Sequence, residues 1–217
     1  MHNITKCKTI VLIPSYNDLE NLKKLVKKIK KISNVYVIND GSTDNTKIWL
    51  RKQNIDHRNN SENIGYEKSL LNGIRILKKK KYDYLITFDA DGQHKISDLK
   101  KIINNKIFKN YDVILCNRLN LSRFLEKIIS NLFFEKYGLK DPLSGFKIYK
   151  TKIFNKIKLN KIKNFFLVDL LIDLIKEKKK IKNYSIHQNK RKDKPRIGGF
   201  FKISYNLLSI IFLIFIR

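Results

Sequence analysis

The chain has 217 residues and a mass of 25.8 kDa, long enough for one domain, or two small ones, with a proper buried core. Its 42% hydrophobic and 11% aromatic content excludes a disordered chain, its 8 Gly and 3 Pro exclude collagen-like and Pro-rich readings, and the absence of 18 consecutive apolar residues excludes a polytopic membrane protein. The formal charge of +28 comes from 39 Lys and 8 Arg against 19 acidic residues, spread along the chain rather than clustered and interleaved with aromatics, which argues against a dedicated nucleic-acid groove.

The first eight residues lack the apolar core of a signal peptide, and TIVLI at 9–13 is too short to supply one. That run reads as a buried strand, with Pro14 ending it. Leu19, Leu22, Leu25, Val26 and Ile29 fall at helical spacing within 18–31, with Lys on the opposite face. A short strand at 35–38 runs into the turn Asp40-Gly41-Ser42, then a helix at 44–53 and a short strand at 55–58. The pattern predicts a helix over 66–80 (Leu70, Leu71, Ile74, Leu77) and an apolar strand over 82–88 that runs into Asp89-Ala90-Asp91. A helix at 96–108 and a strand at 112–116 follow.

Strand and helix therefore alternate to about residue 117, the signature of βαβ units. The expected fold class is α/β, with a mostly parallel central sheet and helices on both faces. Beyond it the pattern gives a helix at 122–137, a loop into a short strand at 140–149, a helix at 166–178, a strand at 181–187 and a basic loop at 188–199. The tail, 200–216, is apolar apart from Lys202, Ser204, Tyr205, Asn206 and Ser209. Two cysteines, Cys7 and Cys116, form no disulfide framework and suit a reducing compartment.

Ligands of parallel sheets sit at the carboxyl ends of the strands. Polar residues gather there: Pro14-Ser15-Tyr16-Asn17, Asn39-Asp40-Gly41, Asp89-Ala90-Asp91 and Asn117-Arg118. Two carboxylates one residue apart, Asp89 and Asp91, suit a hard dication, Mg²⁺ or Mn²⁺, with Gln93 as a third oxygen donor. The plainer alternative is an Asp-rich turn capping the next helix. Asp40 to Asp44 also reads as a tight turn and helix cap. Arg118 is a candidate phosphate clamp, or else one half of a surface ion pair. His94 and His187 have no second His or Cys at ligand spacing. GxGxxG, GxxxxGK[ST] and GxSxG are all absent.

Taken in order, IVLIPSYNDLENL (10–22), VYVINDGSTDNT (35–46), ENIGYEKSLLNGI (62–74), YLITFDADGQH (84–94), CNR (116–118) and DPLSGFKIYK (141–150) resemble the inverting family 2 glycosyltransferases of GT-A fold. DADGQH and DPLSGF together point to the polyprenyl-phosphate (dolichyl-phosphate mannose synthase-like) branch. The resemblance spans about residues 9–200. It implies a GT-A-like domain over 1–199 and an apolar, membrane-associating C-terminal helix over 200–217.

The resemblance also implies roles. Pro14, Tyr16 and Asp18 match the first nucleotide-contacting loop, and Ile38 and Asp40 the base- and ribose-side contacts. Asp89, Asp91 and Gln93 match the metal site, with Ala90 packed at the nucleotide. Arg118 matches an arginine near the donor phosphates, Asp141 and Ser144 the segment bordering acceptor and donor sugar, and Arg191 or Arg196 a late arginine approaching phosphate. Asn39 stands where the family usually has Asp, Lys68 and Ser69 where it has small residues, and IGGFFK after Arg196 where it has Gly-x-Ser-Lys.

The implied partners are a UDP- or GDP-linked sugar donor, a polyprenyl-phosphate acceptor and a membrane surface, with no nucleic acid. The implied location is the cytoplasmic face of a membrane, peripheral or held by a short C-terminal anchor. A phosphate monoester acceptor is already largely dianionic at neutral pH, with a second pKa of ~6. It needs cations rather than a base, and KRKDKPR (190–196) is cationic. A sugar-hydroxyl acceptor needs a base, for which Asp141 or Asp169 is the first choice. A third, non-enzymatic reading takes the +28 charge at face value as a nucleic-acid- or membrane-binding protein.

Overall fold

The computed structural model describes residues 7–155, 157, 159, 165–189 and 200–216, the last segment as backbone alone over 200–206. A seven-stranded sheet has its strands in the order 57–59, 34–39, 9–15, 84–87, 147–150, 113–118 and 181–186. The chain divides into two compact units, Met1–Ala90 with Ile148–Leu159, and Asp91–Lys147 with Asn160–Arg217.

In the first unit, β1 (Thr9–Ser15), β2 (Asn34–Asn39), β3 (His57–Asn59) and β4 (Tyr84–Thr87) pair in parallel. All seven residues of β1 are buried, as expected of a central strand covered on both faces. Strand β1 runs through Pro14 to Ser15 rather than ending at the proline. The reason is local. Pro14 pairs with Ile38 on the β2 side, while β4 accompanies β1 only as far as Leu12↔Thr87. A residue without an N–H is tolerated where one neighbour has already left the ladder.

Between the strands lie α1 (Leu19–Ile29), α2 (Thr46–Lys52) and α3 (Tyr66–Leu77). Helix α1 buries Leu22, Leu25, Val26 and Ile29, an i, i+3, i+4, i+7 stripe. Helix α3 lies against β1 and β2 at Gly73. A Cβ there would sit 2.5 Å from Leu12 Cδ1 and 3.1 Å from Ile38 Cγ1, so any larger residue must push the buried Leu12 side chain aside.

The register brings Ser15, Asn39 and Asn59 side by side at the carboxyl ends of β1, β2 and β3. Asn39 Nδ2 donates to Asn59 Oδ1 at 2.8 Å. This polar row is the edge from which the candidate site is built.

The second unit contains α4 (Ile96–Asn104), β5 (Val113–Arg118), α5 (Phe124–Tyr137), α6 (Phe166–Lys176), β7 (Ile181–Ile186) and α7 (Phe200–Ile216). The short strand β6 (Lys147–Lys150) begins at its last residue before the chain returns to the first unit. The pair β5 and β7 is parallel from Val113↔Ile181 to Arg118↔Ile186. Helix α6 is buried nearly all round, including Asp169. Helix α7 packs on α5, burying Leu207, Ile210 and Ile214 and leaving Leu208, Phe212, Phe215 and Ile216 more than half exposed. Lys136 Nζ donates to Ile214 O at 2.6 Å, a cation on the terminal carbonyls of α7. Among the described residues, no helix is long and apolar enough to cross a membrane. The 17 residues of α7 reach about 25 Å at ~1.5 Å per residue.

Candidate active site

In the first unit, two strand-end loops are stitched together. Asn17 adopts φ 47°, a left-handed conformation that asparagine tolerates. Its Oδ1 accepts from Thr43 N–H at 2.8 Å and Asp44 N–H at 3.4 Å, and its own N–H donates to Ser42 Oγ at 3.0 Å. Asp44 accepts from Leu19 N–H at 3.3 Å and from Thr46 N–H at 3.0 Å, so this carboxylate ties down the starts of both α1 and α2. The plain turn-and-cap reading of Asp44 fits these contacts. Pro14 and Asp18 are buried, Tyr16 is half-buried, and Asp18 Oδ1 accepts from Asn21 Nδ2 at 2.9 Å.

Asp40 is buried at the end of β2. Its Oδ1 accepts from Asn60 Nδ2 at 2.8 Å and Ile64 N–H at 3.0 Å, and its Oδ2 from Gly65 N–H at 3.0 Å. Three donors on one carboxylate gather the 60–65 loop around it. Asn60 also donates to Ser69 Oγ at 2.9 Å. That bond gives the Ser69 hydroxyl, buried in α3, a partner in the 60–65 loop. Gly41 (φ 69°) completes the arrangement, because a Cβ there would lie 2.3 Å from the backbone carbon of Glu62. Ile38 is fully buried beside Gly73, between Pro14 of β1 and Arg58 of β3.

Strand β4 delivers Asp89 and Ala90 at the end of this unit. Ala90 is buried and Asp89 half-buried. Tyr66, the first residue of α3, donates its hydroxyl hydrogen to Asp89 Oδ1 at 2.6 Å.

The second unit opens with Asp91. Its Oδ1 accepts from Gln93 N–H at 3.0 Å across Gly92, whose φ of 73° makes the tight bend. The chain leaving β7 returns along this loop: Asn189 N–H donates to Gln93 O at 2.9 Å, its Nδ2 to Gly92 O at 3.1 Å, and Gln188 forms an antiparallel bridge with His94. His94 is buried edge-on against Phe146, with ring centroids 5.6 Å apart. Among the described residues, no three His, Cys, Asp or Glu side chains are grouped to hold a metal.

Arg118 ends β5 with its side chain 15% exposed, and Asp141 chelates it from a side chain 2% exposed. The Arg118 N–H and Nε reach Asp141 Oδ2 at 2.9 and 2.8 Å, and Nη2 reaches Oδ1 at 2.8 Å. Asp141 itself has φ 52°, and its N–H donates to Ser130 Oγ at 3.0 Å. Glu126 lies 3.7 Å from Arg118 Nη1 and 3.3 Å from Arg123 Nη1. Ser144 is fully buried: its Oγ accepts from Phe146 N–H at 3.3 Å, and its carbonyl accepts from the buried ammonium of Lys147. Arg191 and Arg196 lie outside the described residues.

The sequence singled out Asn17 only as one of the strand-end polar residues, and did not point to Asn60, Tyr66, Glu126, Lys147 or Asn189. Asn17 and Tyr66 sit inside motifs already singled out, YND and GYE, but their partners are 23 to 27 residues away.

A mostly parallel seven-stranded sheet alternating with helices gives a GT-A-like α/β fold. Solved structures of that fold agree. Glucosyl-3-phosphoglycerate synthase from Mycobacterium tuberculosis, crystallised with Mn²⁺, UDP-glucose and phosphoglyceric acid, superposes with a TM-score of 0.70 at 12% identity, over 94% of this chain and 77% of that one. The chain belongs to Glycosyl transferase family 2, which it matches over residues 10–163. It is 28% identical over 187 residues to the dolichol-phosphate mannosyltransferase of Pyrococcus furiosus, covering 76% of this chain and 52% of that one. It is 25% identical over 121 residues to the undecaprenyl-phosphate mannosyltransferase of Micrococcus luteus, covering 51% and 48%. The chain thus spans about half the length of these two relatives. Family membership sets aside the non-enzymatic reading of the +28 charge.

Proposed function

We propose that the chain transfers a sugar, with inversion, from a UDP- or GDP-linked donor to a polyprenyl phosphate. The observation that carries the choice of acceptor is the state of Asp141. Both its oxygens are bound to Arg118, so one of the two first-choice bases for a hydroxyl acceptor is already occupied, and the other, Asp169, is buried in α6. A phosphate acceptor needs no base. The names of the Pyrococcus and Micrococcus relatives support the same acceptor class.

The donor set fits a hard dication. Asp89 and Asp91 offer carboxylate oxygens one residue apart, and Gln93 an amide oxygen, the oxygen-only chemistry of Mg²⁺ or Mn²⁺. When bound, the ion supplies Lewis-acid neutralisation of the diphosphate leaving group. Tyr16, Asp18 and the Asn17-stitched loops line the nucleotide, with Asp40 shaping that edge through the 60–65 loop. Pro14, Ile38 and Ala90 supply its buried backbone floor.

Arg118, its charge offset by Asp141 and Glu126, meets the departing phosphates as a hydrogen-bond donor held in place by its two-pronged contact with Asp141. An acceptor phosphate oxygen donates a lone pair to the anomeric carbon. The bond from that carbon to the nucleotide diphosphate breaks, and its electron pair leaves with the diphosphate. The basic stretch 190–196, with Arg191 and Arg196, follows directly on Asn189 in the sequence and supplies cations for the acceptor. The apolar face of α7 lies on the cytoplasmic surface of the membrane that holds the lipid.

The test is transfer of labelled sugar to prenyl phosphate with Mg²⁺ or Mn²⁺ present. Labelling of a saccharide while prenyl phosphate stays inert would move the assignment to a hydroxyl acceptor.

A further inference from the structure

Tyr66 has no part in the chemistry described so far, yet its hydroxyl sits 2.6 Å from Asp89 Oδ1, a strong, short contact between residues 23 apart in sequence. The approach is built rather than incidental. Tyr66 opens α3 immediately after Gly65, whose φ of 92° turns the chain into the helix. Gly65 is held by its N–H on Asp40 Oδ2, and Ile64 by its N–H on Asp40 Oδ1. Asn60 ties the other end of the loop to the same carboxylate and to Ser69 inside α3. A single buried carboxylate at the end of β2 therefore sets the start of α3, and the start of α3 sets a hydroxyl on the end of β4.

We propose that Tyr66 is a positioning residue for Asp89, and that Asp40 acts on Asp89 through it. The O–H donor fixes the carboxylate's rotation, leaving it preset to ligate a dication. This gives Asp40 a second role besides shaping the nucleotide edge. It also links that edge to the first carboxylate of the DAD segment through a covalent and hydrogen-bonded chain of five residues: Asp40, Ile64, Gly65, Tyr66 and Asp89. The inference rests on the dication reading of Asp89 and Asp91.

The experiment measures Mn²⁺ binding to the full chain by electron paramagnetic resonance, with saturating UDP or GDP, for wild type, Asp91→Asn, Tyr66→Phe, Asp40→Asn and the Asp40→Asn/Tyr66→Phe double variant. Melting temperatures are taken without metal. Loss of a hydrogen-bonded partner behind a metal ligand typically weakens binding by roughly 10- to 100-fold. Tyr66→Phe is expected to weaken Mn²⁺ about tenfold, with an unchanged metal-free melting temperature and with turnover restored by excess Mn²⁺. Asp40→Asn is expected to weaken Mn²⁺ similarly, and the double variant to do no worse than Asp40→Asn alone.

Unchanged Mn²⁺ affinity in Tyr66→Phe, with binding lost in Asp91→Asn, overturns the role of Tyr66 and leaves the dication site standing. A metal-free melting temperature lowered in Tyr66→Phe without an affinity change also overturns it, making the contact structural. Additive losses in the double variant overturn the route from Asp40. Wild-type binding no tighter than that of Asp91→Asn overturns the dication site and this proposal together.

Discussion

Replacing Asp141 by Asn tests the arrangement around Arg118 most sharply. The carboxylate accepts three hydrogen bonds from one arginine, two from the guanidinium and one from the backbone. Asparagine keeps one acceptor oxygen, removes the negative charge and turns an NH₂ group toward the guanidinium donors. Removing one partner of a buried pair costs about 3–5 kcal/mol. Here the Arg118 side chain keeps 15% of its exposure and Glu126 stands 3.7 Å away as a second anion, so the expected loss is smaller, about 2–4 kcal/mol. For a chain of this size each kcal/mol moves Tm by about 2–4 °C, giving a drop of about 5–15 °C by calorimetry or dye-based melting.

Arg118→Met should cost a comparable amount, since it strands a buried carboxylate. The double variant should lose less than the sum of the two, with a coupling of about 2 kcal/mol. In turnover, Asp141→Asn should raise KM for the nucleotide sugar and leave the shape of the pH profile intact. A Tm within about 1 °C of wild type, together with loss of the acidic limb of the pH profile, would refute the positioning role and make Asp141 a base.

Two further outcomes concern stability. Gly73→Ala places a methyl 2.5 Å from Leu12 Cδ1, in a core where Leu12 is fully buried. Overpacking of about 1–3 kcal/mol, partly offset by ~1 kcal/mol of helix propensity, predicts a lower urea midpoint with unchanged slope. Burial pushes the Cys116 thiol well above its usual range, reinforced by Asp98 and only partly opposed by Lys147. The unfolded thiol ionises first, so its contribution to stability is complete below about pH 8.5 and is lost as pH rises further. A thiol reagent on the native protein should therefore modify Cys7 quickly and Cys116 only on unfolding.

The alternation of short apolar runs with amphipathic helices carried the α/β fold and its parallel sheet, because both depend on local periodicity. The extension of β1 past Pro14 was not legible, since it depends on where β4 leaves the ladder, at Leu12↔Thr87. Motif order singled out Asp40, Asp89, Asp91 and Arg118 as candidates. What each carboxylate touches was hidden. The Asp141–Arg118 and Tyr66–Asp89 contacts each join residues 23 apart, and the Asn17–Asp44 contact joins residues 27 apart. Pairings at that range are set by strand register and loop closure, which a linear pattern does not encode. Asp141 shows the consequence. As a lone acidic residue in a motif it reads as a candidate base; beside Arg118 it reads as an anchor.

The decisive measurement is transfer of labelled sugar from UDP and GDP donors to prenyl phosphate by wild type and Asp91→Ala, with Mn²⁺ or with chelator. Product should form only with wild type and a divalent ion. Labelled prenyl-phosphate sugar appearing at the wild-type rate in Asp91→Ala, or undiminished in chelator, would contradict a dication-assisted departure of the nucleotide.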